Sequence, residues 1–330
     1  MNTQKNEIIA GIDLGGTKIL TVIAGTHCNL LAQADMLTHS DQGHEGVISR
    51  IIESIDAALG RVNGQRASLK LLAICTPGPE IDTKKGIVHF SNNLQWRDVY
   101  LKEILEEKLK IPVVVENDAN AAALGECLFG AGRGSSNMVY VTVSTGIGCG
   151  IIMKRKIYHG VSDSAGELGH TTIYPDGPRC SCGNNGCLEA VASGTAIARE
   201  AKRLACDGQA DVILATANNE LEDIDAGIVA AAAMSGDNTA VEIFDNAGKA
   251  LGIGLANLVN LINPSVVVLG GGVMKSKDLI WASMEREFKR RVIKRSGQHV
   301  KIVSAELGSM SGAMGMIAIA NTELKGDVCV

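Results

Sequence analysis

The chain has 330 residues, of which 46% are hydrophobic and 20% are charged, and its formal net charge is −5. This mild acidity argues against nucleic acid as a partner, because phosphate-backbone binding needs clustered Lys and Arg. No apolar run reaches the ~18 residues that a membrane span needs, and the N-terminus from Met1 to Glu7 is polar rather than signal-like. We therefore expect a cytoplasmic α/β protein with no membrane partner.

The first part of the chain alternates between strand and helix patterns. Helical spacing of apolar residues and short apolar runs bounded by turn residues define the elements. They are strands over 8–13, 18–24 and 29–37, a helix over 45–62, a strand over 69–75, a helix from about 98 to 109, and a strand over 112–116.

A second round of elements starts near Asn117. It comprises a helix over 120–129, strands over 138–143 and 150–154, a helix over 238–261, a strand over 265–269 and a last helix over about 311–320. Both rounds contain a strand, a glycine turn and a returning strand. This recurrence suggests an internal structural duplication.

The first glycine turn reads Asp13-Leu14-Gly15-Gly16-Thr17-Lys18. Its glycines let backbone amides face outward and cradle phosphate oxygens, and Asp13 can hold Mg²⁺ or its water shell. Thr17 and Lys18 add a hydroxyl and a charge. An ordinary tight hairpin is the alternative interpretation.

The second glycine turn reads Ser144-Thr145-Gly146-Ile147-Gly148 and also lies between two strands. Its hydroxyls and glycines suit a second phosphate clamp, and a plain hairpin is again the alternative. Two such turns, each with a threonine beside glycine, favour nucleotide phosphates over coincidence.

Three polar residues, Glu116, Asn117 and Asp118, follow a buried strand and precede an alanine-rich helix. Asp118 then lies at a helix N-terminus, which favours its ionised form. A carboxylate at the carboxyl end of a strand is well placed to take a proton from a substrate hydroxyl. Helix capping is the alternative, and it explains one of these residues more easily than all three.

Cysteine occurs nine times, an odd number, without a secretory signal, so we expect metal binding or burial rather than a disulfide scaffold. Cys180, Cys182 and Cys187 fall within eight residues, and His170 precedes the first by ten positions. Three thiolates and one imidazole complete a tetrahedral zinc site, which is structural because no position stays open. A loop of free cysteines is the alternative.

With these motifs together, the chain resembles the ROK family of sugar kinases and regulators, and most of all its bacterial glucokinases. The two glycine turns match the family's phosphate motifs, Glu167 to His170 matches its E-x-G-H, and Cys180 to Glu189 matches its C-x-C-G-x-x-G-C-x-E. The resemblance implies an actin-like ATPase (ribonuclease H-like) fold, with two duplicated α/β domains around a cleft. It places the smaller domain at 1–116 plus about 311–330, and the larger domain, with the zinc loop, at 117–310.

The resemblance also assigns roles to individual residues. Asp118 would be the catalytic base, and His170 would turn one ring nitrogen to zinc and its other side to the sugar. Gly271 and Gly272 would form the adenosine-side turn. The hexose ligands would be Gly78, Asn93, Asn117, Asp118, Glu167, His170 and Glu189.

By the same resemblance, the chain would transfer the γ-phosphoryl group of Mg-ATP to the 6-hydroxyl of glucose, as a homodimer or homotetramer. A kinase for N-acetylmannosamine or N-acetylglucosamine is the alternative substrate assignment. A sugar-responsive regulator is disfavoured because only twelve residues precede Asp13. Cys149 stands where the family often has glycine, and we expect it to crowd the second turn or to make activity sensitive to thiol oxidation.

Overall fold

The computed structural model describes residues 7–25 and 27–325. The polar N-terminal segment before Glu7, and residues 326–330 of the expected smaller domain, lie outside the described residues. The strands are β1 (Ile8–Leu14), β2 (Lys18–Gly25), β3 (Leu30–Leu37), β4 (Leu69–Thr76), β5 (Glu80–Asp82), β6 (Ile87–Ser91), β7 (Trp96–Val99), β8 (Val113–Asn117), β9 (Asn137–Val143), β10 (Ile147–Met153), β11 (Lys156–Ile157), β12 (Val266–Gly270) and β13 (Lys301–Ser304).

The α-helices lie between groups of these strands, and α4 to α8 follow one another between β11 and β12. They are α1 (Gly43–Gly60), α2 (Leu101–Leu109), α3 (Asp118–Phe129), α4 (Leu188–Ala192), α5 (Gly194–Cys206), α6 (Asp211–Thr216), α7 (Ala226–Met234), α8 (Asn238–Ile262), α9 (Lys277–Arg291), α10 (Lys294–His299) and α11 (Ser311–Lys325).

Two five-stranded sheets have the same strand topology: three consecutive strands in reverse order are followed by two later strands. The first runs β3-β2-β1-β4-β8 and the second β11-β10-β9-β12-β13. In the first sheet, β1, β2 and β3 pair antiparallel, whereas β4 pairs parallel with β1 and with β8. This order and the mixed strand directions are those of the ribonuclease H-like fold. The expected fold class, an actin-like ATPase fold, is confirmed.

The centre of the first sheet is covered on both faces, and β1 is therefore buried and apolar along most of its length. In β1, Ile8, Ile12 and Leu14 join one core, which also contains side chains of α1 and α2. Ile9, which points to the opposite face, joins a second core with α3 and α11. Apolar residues in an unbroken run thus indicate a strand buried on two sides.

Small residues let α11 approach both the sheet and α3 closely. A Cβ at Gly11 in β1 would lie 2.5 Å from the Ala313 carbonyl oxygen, and a Cβ at Gly315 in α11 would lie 1.8 Å from that of Ala121. A side chain at Gly11 would push α11 away from the sheet, and one at Gly315 would push α11 away from α3. The backbone of α3 is therefore fixed against α11.

A three-stranded antiparallel sheet, in the order β5-β6-β7, is absent from the sequence-based prediction. The predicted helix from about residue 98 is also wrong at its start, since β7 runs to Val99 and α2 begins at Leu101. Asp98 does not cap a helix. It instead bonds across the sheet to Nδ1 of His89 at 2.7 Å.

The chain forms two compact units. The first comprises 1–140, 150–166 and 305–330, of which the described residues are 7–25, 27–140, 150–166 and 305–325, and the second comprises 141–149 and 167–304. The first unit thus includes 117–140 and 150–166, which the sequence-based division assigns to the larger domain. That division of the chain stays a prediction.

Two whole-chain expectations concern membranes and cysteines. Within 7–25 and 27–325, no helix combines the length and apolarity that crossing a bilayer needs. Seven cysteines of the described residues are free, whereas Cys28 is disulfide-bonded. Cys28 is also buried, with 8% of its surface exposed, and one disulfide-bonded cysteine among eight described ones does not form a disulfide scaffold.

Candidate active site

The first glycine turn closes the β1–β2 hairpin in the first unit. The N–H of Gly15 donates to the carbonyl of Lys18 at 2.9 Å. A Cβ at Gly16 would lie 2.8 Å from the carbonyl oxygen of Asn93, so glycine allows the turn to contact this residue. The ammonium of Lys18 lies 3.0 Å from the carboxylate of Asp35, and both side chains are about half exposed. Lys18 thus has a carboxylate partner, and the N–H of Gly15 is already used within the turn.

Asp13 lies near the end of β1, opposite Leu20 of β2 and Cys75 of β4. Burial of the carboxyl group raises the pKa of Asp13 to about 6, and a weak hydrogen bond from the Cys75 thiol at 3.7 Å opposes that rise. Gly312 of α11 abuts the same group, since a Cβ there would lie 2.6 Å from Oδ2 of Asp13. A cation beside such a carboxyl group favours its ionised form, and that is the form that would bind Mg²⁺.

The turn from β8 into α3 holds the predicted base. Asn117 is the N-cap, and its Oδ1 accepts hydrogen bonds from the N–H groups of Ala119 at 2.9 Å and Asn120 at 3.1 Å. Asp118 is the first residue of α3 and is partly buried. Asn117 therefore provides the N-cap, and Oδ1 of Asp118 also accepts from the N–H of Ala119 at 2.8 Å. Capping does not depend on Asp118 alone, and its role as the base stays a prediction.

Asn117 also connects this turn to Gly78. Its Nδ2 donates to the Gly78 carbonyl at 3.2 Å. A Cβ at Gly78 would lie 2.5 Å from the carbonyl oxygen of Phe90. A side chain at position 78 would therefore push the Gly78 backbone away from Phe90. The first unit therefore joins Gly78 to Asn117, and separately joins Asn93 to the first glycine turn.

Glu116 is a buried carboxylate immediately before this turn, with 4% of its surface exposed. Its Oε2 lies 2.8 Å from Nε2 of His159, in the segment after β11. The hydrogen bond to Glu116 raises the pKa of His159, with a smaller contribution from the charge of Asp163. Sequence reasoning missed this pair, because the two residues are 43 positions apart and match no motif.

The second glycine turn, in the second unit, is fixed by hydrogen bonds at both ends. The N–H of Ser144 donates to the Gly146 carbonyl at 2.8 Å, and the N–H of Ile147 donates to Oε2 of Glu189 at 2.9 Å. A Cβ at Gly146 would lie 2.4 Å from that oxygen. Glu189 therefore supports the second turn directly. This contact competes with its assignment as a hexose ligand, which stays a prediction.

Gly271 and Gly272 lie beside the same turn. Gly271 has φ +96°, and a Cβ there would lie 2.3 Å from the carbonyl oxygen of Val143. A Cβ at Gly272 would lie 3.5 Å from the hydroxyl oxygen of Ser144. The predicted adenosine-side turn and the second phosphate turn are thus neighbours in one unit.

A cavity of about 590 Å³ opens between these turns and α5, a size suited to a nucleotide. Ser144, Thr145 and Gly272 of the predicted set line it. Sequence reasoning missed the residues that α5 and neighbouring segments contribute. These are Gly194, Thr195, Ala198, Arg199, Lys202, Ile224, Asp225, Ala226, Gly227, Phe244, Val273 and Ser276. The i, i+3 spacing of Arg199 and Lys202 is the signal that could have indicated a polar helix face.

His170, Cys180, Cys182 and Cys187 come together as the sequence predicts. One ligand atom from each lies within 4.8 Å of every other, which makes this group a candidate metal centre. The sulfur atoms of Cys182 and Cys187 are 3.7 Å apart, and Nδ1 of His170 lies 3.6 Å from the sulfur of Cys180. Tetrahedral zinc with ordinary bond lengths predicts about 3.8 Å between sulfurs and about 3.6 Å between nitrogen and sulfur. The donor set therefore fits zinc.

The other ring nitrogen of His170 points away from the cysteines. Its Nε2 lies 3.8 Å from the carboxylate of Glu167. Burial raises the pKa of Glu167, the charge of Glu189 adds to the rise, and His170 opposes it. The expected double role of His170 is thus compatible with the geometry of the ring.

Cys149 is buried, with 5% of its surface exposed. Desolvation raises the pKa of its thiol to about 12, and the charge of Glu167 contributes to the rise. Since the thiolate is the form that oxidants attack, this thiol is inert near neutral pH. The expected sensitivity to oxidation at Cys149 finds no support in this setting.

Comparison with known proteins places these features in one family. The model of the ROK family matches residues 9–323. A glucokinase of Halalkalibacterium halodurans is 36% identical over 307 residues, covering 92% of each chain, and the xylose repressor of Bacillus subtilis is 35% identical, covering 94% of this chain and 76% of the repressor. The structure of a ROK family glucokinase from Streptomyces griseus, in complex with glucose and AMPPNP, matches with a TM-score of 0.82 and 34% identity, covering 96% of this chain and 99% of that one.

The family match extends over both glycine turns, the β8–α3 turn, the cysteine cluster and the 590 Å³ cavity. With the sheet order and these relatives, it leads to one conclusion: this chain belongs to the ROK family.

Proposed function

We propose that this protein is an ATP-dependent glucokinase that phosphorylates the 6-hydroxyl of glucose, with Asp118 as the general base. The observation that carries this proposal is the position of Asp118 at the start of α3, where Asn117 already serves as the cap. The glucokinase relatives and the S. griseus structure with glucose and AMPPNP support the choice of glucose and ATP.

The proposed reaction needs one proton acceptor and a route for the phosphoryl group. The sugar hydroxyl oxygen forms a bond to the γ-phosphorus, the bond from that phosphorus to the bridging oxygen breaks, and ADP leaves. The carboxylate of Asp118 accepts the hydroxyl proton. Phosphoryl transfer depends mainly on positioning and electrostatics, so this carboxylate serves chiefly to orient the hydroxyl.

In the second unit, the 590 Å³ cavity supports nucleotide binding. Ser144 and Thr145 line it beside Gly272, and their hydroxyls are suited to phosphate recognition. We assign the adenosine part of ATP to this cavity. The cations of Arg199 and Lys202 line it too.

In the first unit, Gly15, Gly16 and Thr17 form the proposed phosphate-binding turn, with the N–H groups of Gly16 and Thr17 as the proposed donors. Asp13 is the proposed Mg²⁺ residue. Bound Mg²⁺ supplies charge neutralisation for the phosphates of ATP. The partly buried carboxyl of Asp13, with its raised pKa, supports this assignment.

His170, Cys180, Cys182 and Cys187 would hold a structural zinc ion, because four protein ligands leave no open position. Zinc would supply rigidity to the segment that carries Glu167, His170 and Glu189. We assign these three residues, with Gly78, Asn93 and Asn117, to hexose binding. A cytoplasmic location, a homodimeric or homotetrameric state and the absence of nucleic-acid binding stay predictions.

An ADP-release assay across hexoses tests the function. The purified protein is supplied with Mg-ATP and, separately, glucose, N-acetylmannosamine, N-acetylglucosamine, allose or fructose. We expect the highest kcat/KM on glucose, and phosphate on its 6-oxygen by NMR of the product. A higher kcat/KM on an N-acetyl hexosamine would reassign the substrate, and no turnover on any hexose would contradict the kinase function.

A further inference from the structure

We propose that His159 and Glu116 form a positioning pair for the catalytic turn, so that the imidazole holds a buried carboxylate that in turn orients Asp118. This inference rests on the proposed function, because it takes Asp118 as the base. Neither residue belongs to the motifs that identify the family resemblance.

Glu116 is held by three donors at once. Its Oε1 accepts from the N–H of Asn117 at 2.9 Å and from Nδ2 of Asn120 at 3.1 Å, and its Oε2 bonds Nε2 of His159 at 2.8 Å. A buried carboxylate that loses a donor incurs a desolvation cost, so it moves until it finds another partner. The position of Glu116 therefore depends on all three.

The donors from the turn lie on either side of Asp118. Asn117 precedes it, and Asn120, with 2% of its surface exposed, follows it in the first turn of α3. A shift of the Glu116 carboxylate thus moves the backbone before Asp118 and the helical turn after it. Misplacement of a catalytic group by about 1 Å can reduce turnover by ~10²-fold.

His159 supplies the hydrogen bond that comes from outside this turn. Asp163, four residues later in the same segment, accepts from the N–H and the hydroxyl of Thr83 at 3.1 and 2.9 Å. The segment is thereby fixed at a second point. The charged groups that act on His159 are Glu116 and Asp163, which favour the imidazolium, and Lys84, which opposes it. A charged donor makes the bond to Glu116 stronger than a neutral one would be.

A purely structural role would give a different result from a positioning role. If the pair only stabilises the fold, its loss lowers the melting temperature while kcat below that temperature stays normal. If the pair orients Asp118, its loss lowers kcat, and a side chain that can still donate to Glu116 restores part of it.

The experiment compares His159→Ala, His159→Gln and Glu116→Gln with wild type, on the hexose that wild type phosphorylates best. His89→Gln is the matched control, since His89 also bonds a carboxylate, that of Asp98, but in the three-stranded sheet of the same unit. The measurements are kcat, KM for both substrates, and the melting temperature. Each histidine variant is also made in an Asp118→Asn background.

We expect His159→Ala to lower kcat by about 10- to 100-fold, with both KM values within about threefold of wild type. His159→Gln, whose amide can donate to Glu116, should retain about a third or more of wild-type kcat. Glu116→Gln should lower kcat, and His89→Gln should not change it. In the Asp118→Asn background, His159→Ala should cause less than about twofold further loss, because it acts through Asp118.

Three results would overturn the pairing: normal kcat in His159→Ala, an equal loss in His159→Gln and His159→Ala, or the full loss repeated in the Asp118→Asn background. An inactive wild type, or near-normal kcat in Asp118→Asn alone, would contradict the proposed function and this inference with it. Active wild type and impaired Asp118→Asn, with normal His159→Ala, would overturn the pairing alone.

Discussion

Glu126 near the end of α3 accepts a hydrogen bond of 2.8 Å from the hydroxyl of Ser311, the first residue of α11. The same fully buried carboxylate also accepts from the N–H groups of Ala131, Glu306 and Leu307 at 2.9, 3.1 and 2.8 Å. The helix that begins with Asp118 is thus tied to the start of α11.

The four hydrogen bonds to the Glu126 carboxylate should stabilise the fold. Glu126→Gln replaces one acceptor oxygen with an NH₂ group that faces backbone donors, so we expect a loss of about 1–3 kcal/mol in the free energy of unfolding. Chemical denaturation measures this loss. Glu306→Gln is the control, since Glu306 forms an exposed pair with Arg133 and should cost under about 1 kcal/mol. Equal losses of unfolding free energy in the two variants would show that the buried hydrogen bonds of Glu126 stabilise the fold no more than the exposed Glu306–Arg133 pair does.

Asp13 illustrates a conflict between stability and function. Its pKa is raised from 3.8 to about 6, so the folded state binds the proton more tightly than the unfolded chain does. The ionised carboxyl then destabilises the fold as the pH rises from about 4 through 6, by at most about 3 kcal/mol.

Asp13→Asn should therefore be more stable than wild type at pH 8 without Mg-ATP, and this advantage should shrink towards pH 4. The variant should lose turnover despite its added stability. Denaturation curves at the two pH values, beside a kinase assay, test both halves. Lower stability of Asp13→Asn at pH 8, or full activity, would contradict the account of Asp13.

The His159–Glu116 pair predicts the opposite dependence on pH. The folded-state pKa of His159 is raised, so its stabilising contribution is fully present below the unfolded value of about 6.5 and is lost as the pH rises through the folded value. The difference in unfolding free energy between wild type and His159→Gln should be larger at pH 6 than at pH 9. A difference that grows towards pH 9 would show that the imidazolium does not stabilise Glu116.

Zinc should be present at one ion per chain in protein purified without chelators. Cys182→Ser should release it and lower the melting temperature, because binding of structural zinc is coupled to folding. Cys206→Ser is the matched control, since Cys206 is also an exposed free cysteine but lies outside the cluster. Elemental analysis that finds no zinc in wild type, or equal zinc in both variants, would contradict this assignment.

The sequence predicts most of the first sheet, because strands buried on both faces are apolar in an unbroken run, as Ile8 to Ile12 are. It also predicts the cysteine cluster, because the four ligands lie within eighteen residues of one another along the chain. Local spacing carries both signals.

What the sequence misses depends on contacts between distant or weakly patterned segments. The strand Trp96–Val99 contains two charged residues and has no apolar run, and the bond of Asp98 to His89 has no local sign in the sequence. The bond between Glu116 and His159 likewise has no local sign. The lining of the nucleotide cavity by Thr195 and Phe244 needs the packing of α5 and α8, which periodicity alone does not fix.

The value of kcat for Asp118→Asn on glucose with Mg-ATP decides whether Asp118 is the catalytic base. The amide keeps the size of the side chain, and Asn117 still caps α3, so the fold and the zinc content should match wild type. Since general-base assistance contributes ~10²–10⁴-fold, we expect kcat to fall by about that factor, with a modest change in KM for glucose. A near-normal kcat in a folded Asp118→Asn protein would contradict the assignment of Asp118 as the base.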